Sequence, residues 1–304
     1  MDRELMVTVG IPTKDRFNDL KKCLKSIIAQ TLLPVEIIII DDGNLTAGQM
    51  QDCRKMTEPK VTCVYAKKDR PSLSASKNMI AQLAKGELVL IIDDDVVLEH
   101  DYVENIIKVF TDDSKRRIAA ACGMILNLRK KSLLERIWRI IFLLDSGIPG
   151  DITSTMFESK ITGIQDVCSV KWLSGCNAMF RRNVLLMFPF EEFCGGRNAL
   201  EDIEQALRIR GCGYELVSTP GAKVHHYLSL QGREFPHATG FKHAYNRCII
   251  FSKYGRKGFN RILFIWSFLG YIVGLIFRGR FALAKGNMEG LYRYFLDYRE
   301  RIRA

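Results

Sequence analysis

Asp93, Asp94 and Asp95 follow one another without a break, and three carboxylates so placed repel unless a cation or hydrogen-bond donors neutralise them. Along an extended chain alternate side chains share a face, so Asp93 and Asp95 converge on one hard divalent cation while Asp94 points away. A solvated acidic turn is the plainer reading of three aspartates taken alone. Glu201-Asp202 opens a helical pattern, where the helix dipole explains acidic residues without any function and is the better reading in isolation; a carboxylate there could also take the proton of an attacking hydroxyl. Asp41-Asp42-Gly43-Asn44 is a good turn sequence whose carboxylates could also hold the base or ribose hydroxyls of a nucleotide. Asp69-Arg70, in a loop ahead of a helix, suits a diphosphate or a surface ion pair. Trp172 and Gly175 lie in residues 170–182, where an aromatic ring could stack on a sugar and a glycine admit a close ligand, or where an ordinary strand buries a tryptophan. His225-His226 adds two imidazoles, frequent metal ligands, although most single histidines are not.

The elements that must position these groups can be read from hydrophobic periodicity. Leu88 to Ile92 is an unbroken apolar run behind Gly86, the pattern of a strand buried on both faces, and it ends on the three aspartates. Residues 5–11 form a first strand, followed by the loop Pro12-Thr13-Lys14-Asp15-Arg16. Phe17, Leu20, Leu24, Ile27 and Ile28 share a helical face, and residues 35–40 make the next strand, so the chain completes a right-handed βαβ crossover. Ligands of such sheets bind beyond the carboxyl ends of the strands. Those ends carry Pro12 to Arg16, Asp41 to Asn44 and Asp93 to Asp95. A third strand covers residues 61–65, and a helix over 74–85, capped by Ser72 or Ser74, carries Lys77. Tyr102, Val103, Ile106, Ile107 and Phe110 mark another helix, residues 118–125 another strand. Residues 195–198 are expected to be a flexible loop before a helix to Arg210, and residues 214–218 a last strand. No Gly-x-Gly-x-x-Gly follows the first strand and no Gly-x-x-x-x-Gly-Lys-Ser/Thr occurs, which argues against a dinucleotide oxidoreductase and a P-loop NTPase.

Composition bounds the rest. The 304 residues suffice for one large α/β domain with an appendage, or for two domains, and 47% are hydrophobic. Nine cysteines, odd in number and never spaced as Cys-x-x-Cys, fit reduced thiols in the cytosol better than disulfides or zinc. A strand begins almost at once, so no signal peptide is expected. Of the net charge of +11, residues 233–304 carry ten units, with 14 Lys and Arg against 4 Asp and Glu. That surplus suits anionic lipid or nucleic acid, and the scarcity of aromatics interleaved with basic residues outside the apolar tail argues against nucleic acid. Residues 262–277 are 16 uncharged positions between Arg261 and Arg278, shorter than the roughly 20 of a spanning helix. They suit an in-plane or re-entrant membrane helix, with a buried core helix as the alternative. Residues 130–144 are a second basic and apolar stretch that could face the same membrane.

Strand, Pro-Thr-x-x-Arg loop, helix, strand, Asp-Asp-Gly-Asn, a Ser-x-Ser-x-Asn helix and then Gly-Glu-x-x-x-x-x-Asp-Asp-Asp together resemble the nucleotide-sugar-binding half of a family 2 glycosyltransferase. The resemblance runs over residues 6–227. It implies an α/β fold of GT-A type, a Rossmann-like mixed sheet flanked by helices, with a C-terminal helical membrane-associating extension. The implied division is 1–126 for the donor, 127–232 for the acceptor and 233–304 for the extension. By resemblance Pro12, Thr13, Arg16 and Asp42 border the nucleotide, with Asp93 near the ribose and Asp95 on the metal; Asp41, Asp69, Arg70, Lys77 and Asp94 are grouped with the nucleotide. A Gly-x-x-x-x-x-Arg segment assigns Trp172, Gly175 and Arg181 to the acceptor side. Asp202, with Glu201 beside it, matches the family's base. His226, six residues after Pro220, would join Asp93 and Asp95 at Mn2+ or Mg2+, with His225 its open neighbour.

The implied reaction is inverting transfer from a nucleotide sugar, UDP- ranked ahead of GDP- and dTDP-, to a glycan or lipid-linked saccharide. The implied place is the cytoplasm, peripheral on the inner face of the cell membrane, without nucleic acid. Asn44 stands where Ser is usual, and Asp69-Arg70 lacks the glycine of the common Asn-x-Gly, which leaves the base open. A sugar-phosphate nucleotidyltransferase is the nearest rival, although Pro12 to Arg16 lacks its Gly-rich basic loop. A non-catalytic lipid- or nucleic-acid-binding module is the other.

Overall fold

The computed structural model describes residues 5–193, 199–229, 231, 234–256 and 258–303, so the loop at 195–198 lies outside the described residues. Four strands, β1 (Val7–Thr13), β2 (Glu36–Asp41), β3 (Thr62–Lys67) and β4 (Leu88–Ile92), run parallel in the spatial order β3-β2-β1-β4. Every residue of β1, β2 and β4 is buried, as their apolar runs require of strands covered on both faces. The helices between them are α1 (Phe17–Ile28), α2 (Ala47–Thr57) and α3 (Leu73–Leu83). α2 escapes a periodicity argument because it buries only Cys53 and Thr57; its Thr46–Gln49 capping box starts it instead.

The sheet divides the core in two. Leu88, Leu90 and Ile92 face a cluster with Leu20, Leu24 and Ile27 of α1 and with α4 (Tyr102–Thr111). Val89 and Ile91 face the other way, against Ile80 of α3. Each such side chain contributes about 1.5–3 kcal/mol on burial. β4 is therefore fixed on both sides before it reaches Asp93.

Beyond β4 the sheet becomes mixed. β5 (Val96–Leu98) follows the aspartates, and β6 (Ile118–Ile125), the helix α5 (Leu133–Ile141), β7 (Cys168–Val170), β8 (Asn177–Arg181), α6 (Arg182–Met187), α7 (Glu201–Gly211) and β9 (Glu215–His226) come after it. β8 lies antiparallel between β4 and β6, while β9 runs parallel to β6 and antiparallel to β5 and β7. β9 is twelve residues long, well past the expected 214–218, and this extra length carries it from β6 to β5.

Three helices end the described chain: α8 (Pro236–Tyr254), α9 (Asn260–Phe277) and α10 (Phe281–Arg303). α8 is tied to α7, since Asn246 Nδ2 donates to the Ala199 carbonyl at 3.0 Å and Tyr254 OH to Glu204 at 2.7 Å. α10 packs closely along α8, where a Cβ on Gly286 would meet the His237 carbonyl at 2.0 Å and one on Gly240 the Leu283 carbonyl at 2.3 Å. Only glycine admits that approach.

Candidate active site

A cleft of about 480 Å³ opens at the carboxyl ends of β1, β2 and β4. Asp93, Asp94 and Asp95 stand on its floor in a turn closed by the Val96 N–H on the Asp93 carbonyl, so they do not continue the extended strand. Asp93 and Asp95 nevertheless converge. The β5–β9 register pairs Val96 with His226, and the Tyr227 N–H donates to the Asp95 carbonyl, which brings the imidazole over the turn. His226 Nε2 lies 3.0 Å from Asp95 Oδ1 and 3.9 Å from Asp93 Oδ2. One ligand atom from each of the three residues falls within 4.8 Å of the others, a group that could hold a metal ion. Two carboxylate oxygens and one imidazole nitrogen are donors that a divalent cation accepts.

The charges are balanced locally. Burial pushes the Asp95 carboxyl up, but the hydrogen bonds with His226 and from the Ser229 N–H, with Arg16 nearby, outweigh it and hold Asp95 below the usual carboxylate range. Burial opposes a charge on His226, yet its hydrogen bond to Asp95 and the nearness of Cys176 and Asp93 raise it to about 10. Asp93 is raised, chiefly by burial, despite Lys77 and His226. Asp94 turns the other way. It accepts from Thr13 Oγ1 at 2.7 Å and Arg16 Nη1 at 3.0 Å, and burial still pushes it up to about 6. It thus holds in place two residues that line the cleft, and it lines the cleft itself.

A second acidic pair faces the same region from α7. Leu200, the residue before this helix, has φ 72° and makes no side-chain cap, so the helix begins from a strained left-handed residue. Glu201 does not act as a cap either: Lys77 Nζ donates to its Oε1 at 2.8 Å, and both groups are buried. Burial lowers Lys77, but Glu201, Asp93 and Asp202 together raise it, so it stays charged. Asp202 keeps one oxygen on the Ile203 N–H at 2.9 Å. Burial first and Glu201 second raise its carboxyl to about 7, with Lys77 opposing. A Cβ on Gly175 would lie 3.1 Å from Lys77 Nζ and 3.3 Å from Asp202 Oδ2, so this glycine borders the pair directly. With Glu201 committed to Lys77, Asp202 is the carboxylate suited to accept a proton near neutral pH.

Other expected site residues separate. Pro12, Thr13, Arg16 and Asp42 line the cleft. Asp42 meets Lys68 at 2.9 Å and accepts from Ser76 at 2.9 Å. Asp41 does not reach the cleft: it is fully buried and accepts from the Gly43 and Leu45 N–H groups and from Tyr65 OH, which fixes the turn. Asp69 and Arg70 are exposed and do not line the cleft. Trp172 also lies outside its lining, half-buried with its indole N–H on the Ser159 carbonyl. Arg181 is displaced furthest. The antiparallel register sets Asn177 beside Ile92 but Arg181 beside Leu88, about 13 Å down the strand from Ile92. There Arg181 donates to the Ile118 carbonyl and pairs with Asp113 at 3.0 Å, a strut between β6, β8 and the end of α4. His225 points away from His226 and pairs with Glu99 at 3.0 Å.

Among the lining residues that were not anticipated are Glu234, and Thr239, Lys242 and His243 of α8. The last three fall at i, i+3 and i+4, one face of a helix, and that spacing was the available signal. A boundary at residue 232 thus runs through the cleft. Burial and the nearby Arg247 lower His243, which keeps its imidazole neutral near pH 7.

The model of the family described as "Glycosyl transferase family 2" matches residues 8–186, and the chain belongs to that family. This sets the nucleotidyltransferase reading aside. Glycosyltransferase GlyA of Streptococcus pneumoniae serotype 4 is 34% identical over 102 residues, covering 34% of this chain and 14% of GlyA. The chain spans about a third or less of the curated relatives it matches. Mannosyltransferase PcManGT from Pyrobaculum calidifontis, solved with GDP-Man and Mn2+, superposes with a TM-score of 0.58 at 17% identity, over 97% of this chain and 81% of that one. GalNAc-T7, solved with UDP, GalNAc and Mn2+, gives 0.61 at 16% identity over 83% and 48%. These two share the GT-A fold with this chain.

Proposed function

We propose that the chain is an inverting, metal-dependent glycosyltransferase that moves a sugar from a nucleoside-diphosphate donor to a glycan or lipid-linked saccharide. The observation that carries this reading is the Asp93, Asp95 and His226 donor set in the same region as a half-buried carboxylate, Asp202, raised to about 7. The Mn2+ in the complexes of PcManGT and GalNAc-T7 supports the metal, and their nucleotides support the donor class.

In this reading Pro12, Thr13, Arg16 and Asp42 border the donor nucleotide, and Asp94 holds Thr13 and Arg16 in place. Asp93, Asp95 and His226 would hold Mn2+ or Mg2+, which supplies a Lewis acid for the charge on the departing diphosphate. Asp202 takes the proton of the acceptor hydroxyl as its oxygen bonds the anomeric carbon, and the bond from that carbon to the diphosphate oxygen breaks with inversion. The Lys77–Glu201 pair lies close enough to Asp202 to act on its charge, while Thr239, Lys242 and His243 form the acceptor wall. Positioning supplies much of the rate. The enzyme works in the cytoplasm, at the inner face of the cell membrane where a lipid-linked acceptor is presented.

The test is a thermal-shift screen of UDP-, GDP- and dTDP-sugars with and without Mn2+, followed by determination of the product's anomeric configuration. A donor whose stabilisation needs the metal, and a product of inverted configuration, are expected. No stabilisation by any donor, or a retained configuration, overturns the proposal.

A further inference from the structure

Outside the cleft, the most unusual surface is made by α5 and α9. The two helices lie antiparallel and are joined along their length. Trp138 Nε1 donates to the Gly270 carbonyl at 3.0 Å, Trp266 Nε1 donates to the Ile141 carbonyl at 2.9 Å, and Arg278 meets Glu135 at 3.1 Å. The rings of Phe142 and Trp266 stack at 4.5 Å. Both indole N–H groups are thus satisfied by the neighbouring helix, which fixes the pair as a unit.

Its outer face is apolar. Leu134, Ile137 and Ile141 of α5 and Ile265, Leu269 and Phe277 of α9 are 45–79% exposed, and α5 buries none of its residues. Trp266 and Phe277 touch α5 while remaining exposed themselves, so the two stripes are continuous. Water does not favour a contiguous face of this kind. The surrounding charge says what does. Residues 129–145 and 256–285 together hold eleven Lys and Arg against two acidic residues, Glu135, paired with Arg129 and Arg278, and Asp145, paired with Lys131 and Arg139. Two copies of such a surface repel, whereas an anionic bilayer attracts it. A hollow of about 340 Å³ adjoins the face between α8, α9 and α10, lined by Phe264, Ile265, Tyr294 and Phe295 with Arg256 and Arg261, so apolar rings and cations meet there too.

Resting on the glycosyltransferase reading, we propose that α5 and α9 form a platform that seats the protein in the plane of an anionic bilayer. Among the described residues α9 is the helix long and apolar enough to cross a membrane. It does not cross here. Its 18 residues, about 27 Å, are at the lower end of a span, so the deciding feature is what covers it. Its inner side, Phe264, Ser267, Phe268 and Leu275, is buried in the protein, with Ser267 Oγ on Thr155 at 2.9 Å. A helix covered by protein on one side and apolar on the other lies in the interface.

The test is sedimentation of the full chain with phosphatidylglycerol/phosphatidylethanolamine vesicles and with phosphatidylcholine vesicles. The comparison is with Leu134→Glu/Ile137→Glu, two exposed positions outside the C-terminal quarter. Binding to the anionic vesicles that falls with salt, and drops at least tenfold in the double variant, is the expected result. Unchanged vesicle binding by that variant overturns the platform. So does a wild-type protein that ignores vesicles but is a dimer by light scattering and becomes monomeric in the variant. Donor-induced thermal stabilisation, measured without lipid, reports separately on the transferase: its absence from the wild type sinks that reading and leaves the vesicle result standing.

Discussion

His226 Nε2 sits 3.0 Å from Asp95 Oδ1, although 130 residues separate the two in the chain. The contact exists because β9 runs past β6 far enough to pair with β5, which sets His226 opposite Val96, the residue after Asp95. The donor set is thus assembled by strand register.

If Asp95 is a metal ligand, Asp95→Asn removes a charged oxygen from a set of three. The Mn2+-dependent part of donor stabilisation should then vanish; for a saturating donor at a hundredfold over Kd that is about 2.7 kcal/mol. Thermal melts with and without Mn2+ measure it. A donor response to Mn2+ equal to that of the wild type removes Asp95 from the set.

Asp202→Asn should bind donor normally and lose about 10²- to 10⁴-fold in turnover, the usual contribution of a general base. The wild-type rate should also depend on pH. With its carboxyl raised to about 7, Asp202 holds its proton below that pH and cannot accept another, so kcat rises with pH through about 7 and levels above it. A profile that is flat across this range, or full turnover in Asp202→Asn with loss in Glu201→Gln, shifts the role away from Asp202.

His243 lines the cleft from α8 as a neutral imidazole. Losing one hydrogen bond to an acceptor, about 0.5–1.5 kcal/mol, should raise the acceptor KM of His243→Ala roughly 2- to 13-fold. The donor-induced thermal shift should stay at the wild-type value. A variant whose donor response falls while its acceptor KM holds would place His243 on the donor side instead.

Arg181 supplies a contrast. Its side chain is 9% exposed and its partner Asp113 7%, and breaking such a buried pair costs about 3–5 kcal/mol. Arg181→Met should therefore lower the urea midpoint markedly and leave the acceptor KM of the folded fraction unchanged. A large KM effect without loss of stability contradicts the strut.

Much of this architecture was legible in the linear chain, because the signals that carry it are local. Buried strands show as unbroken apolar runs, and the turns after them show as Asp and Gly, so β4 and its three aspartates can be placed without knowing what lies beside them. The expected convergence of Asp93 and Asp95 is present, but a turn produces it in place of extended alternation. Neighbours in sequence can part company: Asp42 reaches the cleft, whereas Asp41 is taken up by three donors beneath it.

What the sequence could not determine depends on direction and pairing over long separations. The Gly-x-x-x-x-x-Arg spacing says nothing of which way β8 runs; antiparallel to β4, it leaves Gly175 beside Asp202 and takes Arg181 to the far end. The C-terminal quarter reads as an appendage because its apolar and basic composition differs from the rest. Yet α8 folds back through Asn246 and Tyr254 onto the helix that carries Asp202, and completes the cleft. Composition is a property of a segment, whereas a site is a property of the contacts between segments, and only the packed structure determines those.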